Sequence, residues 1–456
     1  MHPTIHAAAE DIRHGRLSPV DLVASCLERI DRFEDRIHAW VFVDRQGALA
    51  RAEECAAEIE RGQWRGPLHG VPLAIKDIFD VFDWPTAAGS RLWKDSIARQ
   101  DATVVRHLRQ AGAIFLGKTV TTQYASFDPP PTRNPWNLAR TPGGSSSGSA
   151  AALACGMCLG ALGSQTGGSI TRPASYCGVA GCKPTFGRVS CDGVVPLAPS
   201  MDHPGPMARC VRDLEMLFST IRRTAGVSQL FSTIRRTAGV SRLVNTHQPA
   251  YAGRSPVPRL GRLRGLFESR AEPIVTKRMD EVMEKLREHG AIVEDVSLPA
   301  SFTEVLPRHR TVMAVEAAAF HQERLRRHPD DYDPWIRSLL DEGLRCPAPE
   351  YARCKDHQEL LRREMEDCFK GVDVLLTPAT TGPAPDAGST GDPAFNSPWS
   401  YTGFPTISFP VGQSSDGMPL AIQLVGRLWG ENELFPAAIW CEDMLSVHLG
   451  EPPVKG

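Results

Sequence analysis

Three separated segments of this 456-residue chain carry residue types that could do chemistry together. In Gly66-Pro67-Leu68-His69-Gly70-Val71-Pro72-Leu73-Ala74-Ile75-Lys76-Asp77, a lysine closes a short apolar run. An amine at the end of a buried strand is desolvated, so its pKa falls and it can serve as a general base. The same Lys76 could instead snorkel to solvent or pair with Asp77. The second segment, Thr141-Pro142-Gly143-Gly144-Ser145-Ser146-Ser147-Gly148-Ser149, is rich in glycine and hydroxyls and leads into an Ala-rich stretch. The third is Gly163-Ser164-Gln165-Thr166-Gly167-Gly168-Ser169, followed by Ile170-Thr171-Arg172-Pro173.

A glycine- and serine-rich loop opening a helix can cradle phosphate on its N–H groups. The segment lacks the lysine of G-x-x-x-x-G-K-[ST], so a P-loop is not expected. Gly144-x-Ser146-x-Gly148 matches the spacing of a nucleophile elbow, but that motif needs a strand directly before it. The preceding Asn134–Pro142 is a loop by composition, and the context fails. Thr166-Gly167-Gly168-Ser169 is a better nucleophile setting, because two glycines let the backbone approach a substrate and align successive N–H groups on an oxyanion. Taken alone, it reads equally well as a tight turn.

These segments need rigid elements to hold them. Leu73–Ile75 and Ala113–Leu116 are short apolar runs of the kind that form buried strands, with a helix over Thr103–Gln110 between them. Further strands are expected at Ala291–Leu298, Val372–Thr377 and Thr406–Val411, and helices near Glu272–Glu288 and Tyr351–Phe369. Ser18-Pro19-Val20-Asp21 is a helix start, with a hydroxyl cap, a proline in the first turn and a carboxylate against the dipole. A second N-terminal helix is expected from about Gly47 to Arg61. Alternating strands and helices indicate an α/β fold, with one mixed β-sheet core covered by helices on both faces. No linker divides the chain, so residues 1–456 are expected to form one domain. Within it lie a helical region over about 1–65, a core over about 66–210 and a variable helical region over about 300–371. The Pro- and Gly-rich Thr377–Pro398 is a long functional loop rather than a boundary.

Composition closes off other classes. Hydrophobic residues make up 42% and charged residues 23%, and 51 basic side chains face 53 acidic ones. That balance points to neither nucleic acid nor a membrane as partner. The start has no apolar signal region, and the low-charge stretch Ala150–Thr166 is too short and too weakly apolar to span a bilayer. The 12 cysteines are then expected to be reduced thiols in a cytoplasmic protein. Cys155-x-x-Cys158 has Ala-rich flanks and no matching second pair, so it is assigned to core packing. Leu217–Ser228 recurs letter for letter as Leu230–Ser241; two copies make a local duplication, not a solenoid, and it is given no function.

Lys76, the Gly-Gly-Ser-Ser-Ser-Gly-Ser run and Gly-Gly-Ser169, in that order, resemble the amidase signature family. The resemblance extends from about Ser18 through Asp202-His203-Pro204-Gly205-Pro206-Met207-Ala208-Arg209 to Gly403-Phe404-Pro405 and Pro410-Val411-Gly412. It implies the amidase-signature fold and a Ser–cis-Ser–Lys triad, with Ser169 as nucleophile, Ser145 as the serine after a cis peptide, and Lys76 as base. It also implies an oxyanion site on the backbone of Thr166, Gly167, Gly168 and Ser169, an acyl-enzyme, and no metal or organic cofactor. None of the 14 histidines is required; His69, His107 and His203 are expected to be structural.

The partner implied is a small-molecule amide. Where the glutaminase component of the glutamyl-tRNA amidotransferase has an Asp, this chain has Gln165, and its arginine comes one place later, at Arg172. Ser-x-x-Arg-Pro is similar to malonamidase-like members, which implies Arg172 and Ser146 as substrate-binding residues, the guanidinium gripping a carboxylate. An internal salt bridge is the competing role for Arg172. The segment Thr121–Pro131 is expected to line the pocket. The alternative to a stand-alone amidase is the glutaminase component of an amidotransferase complex, and a homodimer is the base-rate expectation.

Overall fold

The Ser18 hydroxyl accepts the Val20 N–H and starts the helix Pro19–Ile37, whose buried Leu22, Val23, Cys26, Leu27, Ile30 and Phe33 form one apolar stripe. The computed structural model describes residues 2–223 and 257–454. Leu230–Ser241, the second copy of the duplicated stretch, lies outside them, as does the end of the first.

Among the described residues, eleven strands form one sheet. They are β1 (Trp40–Val43), β2 (Pro72–Lys76), β3 (Ile114–Thr119), β4 (Gly160–Gln165), β5 (Ala180–Lys183), β6 (His203–Ala208), β7 (Arg259–Leu263), β8 (Ile292–Val296), β9 (Val374–Pro378), β10 (Thr406–Gln413) and β11 (Pro419–Val425). The order across the sheet is β1-β3-β2-β4-β6-β5-β10-β11-β9-β7-β8. β2 runs parallel to β3 and β4, whereas β4, β6, β5, β10, β11 and β9 are joined by antiparallel ladders. The sheet is therefore mixed, and it is flanked by helices, as the alternating pattern predicts.

Buried strands explain the short apolar runs: every residue of β2, β3, β4, β9 and β11 is buried. One hydrophobic cluster extends from Ile5 in the first helix to Leu445 in the last. Cys155 and Cys158 are buried within it, and all twelve cysteines are free thiols. No described helix is long and apolar enough to cross a membrane.

β2 and β4 are adjacent and parallel, so their C-terminal ends bring Lys76 and the Ser164–Ser169 stretch to one edge of the sheet. The serine-rich segment crosses the same edge before entering the helix Ser147–Ala154. The helix Thr171–Cys177 follows the third segment directly. Strand order brings the lysine and the third segment together, and the serine-rich loop packs against them.

Candidate active site

Lys76 is wholly buried, and its Nζ lies 2.7 Å from Ser145 Oγ and 2.8 Å from Ser164 Oγ. No carboxylate lies within ion-pair distance of it among the described residues. Burial holds its amine well below the usual lysine value, and the Asp202 carboxylate opposes that shift. Its hydrogen-bond partners are hydroxyls, not carboxylates.

Ser145 follows a cis Gly144–Ser145 peptide bond. The turn before it depends on glycine: Gly143 has φ +80°, and a Cβ there would lie 2.8 Å from Pro173 Cα. The Ser146 N–H donates to the Ser169 carbonyl at 3.3 Å, which lays the serine-rich loop against the third segment. The Ser146 hydroxyl is committed to the backbone of Ser164, accepting its N–H at 3.3 Å and donating to its carbonyl at 3.4 Å. The Ser169 hydroxyl bonds to no described residue, and Ser169 keeps 6% of its surface exposed.

Gln165 closes the loop that presents Ser169. Its Oε1 accepts the Ile170 N–H at 2.9 Å, the Thr171 N–H at 3.0 Å and the Thr171 hydroxyl at 3.1 Å. An uncharged amide therefore caps the helix Thr171–Cys177, and its Nε2 donates to Ser400 at 3.3 Å. Between these anchors the Thr166 hydroxyl donates to half-buried Asp202, which also accepts the N–H groups of Leu197 and Ala198. A Cβ on Gly168 would lie 2.8 Å from Asn396 Oδ1, so the third segment also meets the long loop ahead of β10.

Arg172 is 3% exposed, and both its terminal nitrogens already have protein partners. Nη1 donates to the Gly391 carbonyl at 2.7 Å; Nη2 donates to the Gly144 carbonyl at 2.8 Å and to Thr390 Oγ1 at 3.2 Å. Gly391 and Thr390 belong to the Thr377–Pro398 loop, so that loop reaches the site through a guanidinium. Asp77 is occupied elsewhere, pairing with Lys118 at 2.8 Å. His203 is buried with its ring against the Met201 and Gln165 carbonyls, behind the third segment. In the Thr121–Pro131 stretch, Gln123, Tyr124 and Asp128 bond to residues 331–336.

The chain matches the family model described as Amidase over residues 21–435. It belongs to the amidase signature family. AmiD of Mycobacterium tuberculosis strain H37Rv, a putative amidase, is 36% identical over 467 residues, covering 98% of this chain and 95% of AmiD. An amidase of Pseudomonas putida is 33% identical over 469 residues, covering 99% of this chain and 98% of that one. A crystal structure of an amidase superposes with a TM-score of 0.84 at 33% identity, over 97% of this chain and 99% of that one. As an amidase-signature protein, the chain is a hydrolase acting on small amides, and its mixed sheet is the fold of its solved relatives.

Four residues bonded to these segments were not assigned from sequence. Ser164 sits in the motif without a distinguishing neighbour, and Asp202 lies 36 positions beyond Thr166. His309 and Ser400 reach the third segment from helices Val305–Arg327 and Ser397–Thr402, bonding to the Thr166 and Gly167 carbonyls. Two groups of described residues could hold a metal ion, His6/Cys210/Asp213 and Cys55/Glu58/His69. Neither shares a residue with the lysine–serine network, and in the second Glu58 is already bridged by Arg65 and His69.

Proposed function

We propose that this protein hydrolyses a small carboxamide through an acyl-enzyme formed on Ser169, with Ser145 relaying the proton to Lys76. The observation that carries this reading is the buried Lys76 amine, 2.7 Å from the Ser145 hydroxyl and with no carboxylate of the described residues at ion-pair distance. A neutral amine takes the Ser145 proton as Ser145 takes that of Ser169, whose oxygen adds to the amide carbonyl. The resulting oxyanion rests on N–H groups of the Thr166–Ser169 loop. The proton then returns through the same relay to the leaving nitrogen, ammonia departs, and water cleaves the ester.

Arg172 enters this reading as the brace of the serine-rich loop. Both terminal nitrogens of the guanidinium are already engaged inside the protein, which favours a bracing role over gripping a carboxylate. On this reading a neutral carboxamide is favoured as substrate over the carboxylate-bearing amide suggested by Ser-x-x-Arg-Pro. Ser146, tied to Ser164, supports the loop in the same way.

The test is ammonia release by purified protein from neutral amides, half-amides of dicarboxylic acids and glutamine, with Ser169→Ala as control. Turnover of neutral amides, abolished in Ser169→Ala, is expected. Equal silence of wild type and Ser169→Ala on every substrate would overturn the stand-alone reading in favour of a partner-dependent glutaminase component.

A further inference from the structure

Three consecutive carbonyls in the Thr166–Ser169 loop are each held from behind by a donor. Thr166 O lies 2.9 Å from His309 Nε2, Gly167 O accepts the Ser400 hydroxyl at 2.8 Å, and Gly168 O accepts the Arg172 N–H at 2.9 Å. The N–H groups of Gly167, Gly168 and Ser169, on the far sides of those same peptide planes, donate to no described residue. A peptide whose carbonyl accepts a hydrogen bond presents a more polarised N–H, and fixing the oxygen also fixes the direction of the hydrogen. The loop is therefore a row of amides with oxygens tied back and hydrogens left to the substrate.

His309 is the imidazole among these donors and comes from a part of the chain where no motif was legible. It lies on the helix Val305–Arg327, is 4% exposed, and bonds to a residue 143 positions earlier. Its ring stands over the loop: a Cβ on Gly167 would be 3.5 Å from His309 Cε1. The Tyr401 ring packs edge-on to it with centroids 6.5 Å apart.

We propose that His309 is a positioning residue of the oxyanion site, donating its Nε2–H to the Thr166 carbonyl and so aiming the Gly167 N–H at the reacting carbonyl. The inference rests on the acyl-transfer reading above. Because the acceptor is a carbonyl, the proton belongs on Nε2. Burial pushes the ring's pKa down to about 4, so this is the neutral tautomer at ordinary pH. Its bond is made to protein, so its loss weakens transition-state stabilisation more than substrate binding.

The experiment compares wild type, Ser169→Ala, His309→Leu, His309→Gln and His309→Asn by steady-state kinetics and thermal unfolding. Direct loss of an oxyanion donor costs about 10²–10³-fold in kcat. For this indirect one, about tenfold or more is expected in His309→Leu, with KM changed by less than about threefold. His309→Gln keeps an N–H at nearly the same reach and is expected to recover most of kcat, whereas the shorter Asn is not. That pair keeps the comparison valid should the Leu variant fail to fold. Wild-type kcat in His309→Leu, no difference between Gln and Asn, or losses that follow Tm instead of side-chain reach would overturn the inference alone. Wild type indistinguishable from Ser169→Ala would overturn the acyl-transfer reading, and this inference with it.

Discussion

Asp77 follows Lys76 in the chain, yet its carboxylate pairs with Lys118 Nζ at 2.8 Å on the neighbouring strand. Alternation explains the choice: successive side chains on an extended chain point to opposite faces, and Lys118 is paired in register with Ile75, not Lys76. Lys76 and Lys118, both buried, are thereby divided. One has a carboxylate and hydrogen bonds to Pro85 and Thr86, and the other has two hydroxyls.

Breaking the Asp77–Lys118 pair leaves a buried charge without its partner. Lys118→Met is expected to destabilise the fold by about 3–5 kcal/mol. Denaturant unfolding checks this, and the specific activity of the remaining folded protein is expected to be close to wild type. A midpoint unchanged from wild type would refute it.

Lys76→Met should lower kcat by about 10²–10⁴-fold, the usual range for loss of a general base. The same variant carries a signature in stability. In the folded chain Lys76 binds its proton less readily than in the unfolded chain, so between the folded pKa and about 10.4 the unfolded state holds more protons. Wild-type stability therefore gains from Lys76 as pH rises through that window. Relative to wild type, Lys76→Met is expected to be most favoured at its acid end, with the difference shrinking toward pH ~10. Parallel stability curves would contradict the buried neutral amine.

Asp202 raises the proton affinity of Lys76 while anchoring Thr166. Asp202→Asn keeps an acceptor but removes the charge, so the amine becomes easier to keep neutral. The acid limb of kcat/KM is expected to move to lower pH. A limb that stays in place would show that Lys76 does not govern it.

Arg172→Lys replaces a fork that reaches Gly144, Thr390 and Gly391 by a single ammonium. Activity is expected to fall on all amides alike, because the serine-rich loop loses its brace. The diagnostic quantity is the kcat/KM ratio between a half-amide and a neutral amide of equal size. A ratio that collapses only for the half-amide would restore Arg172 as a carboxylate ligand.

Much of this frame was legible because local rules and tertiary packing agree. The helix Thr103–Gln110 and the Ser18 cap stand where periodicity and capping chemistry place them. Elsewhere the local signal is erased by complete burial. The low-charge stretch Ala150–Thr166 divides into the end of one helix and β4, and a helix buried on every side has no apolar period to read. β6, His-Pro-Gly-Pro-Met-Ala, lies inside the sheet despite two prolines and a glycine, against ordinary strand preferences. The lysine and both motif serines stand out through the residues around them. His309 lies among charged helix residues, and only its distant partner marks it.

The strand order has a consequence for the chain as it is synthesised. β5, at residues 180–183, takes its outer ladder from β10, at residues 406–413. The donors and acceptors that hold the serine-rich loop and the Thr166–Ser169 loop include Thr390, Gly391 and Ser400. Every residue of the lysine–serine network has left the ribosome long before these supports exist. A nascent chain halted near residue 380 would carry Lys76, Ser145 and Ser169 with an open sheet edge beside them. The supports of these loops are thus completed only with the last quarter of the polypeptide.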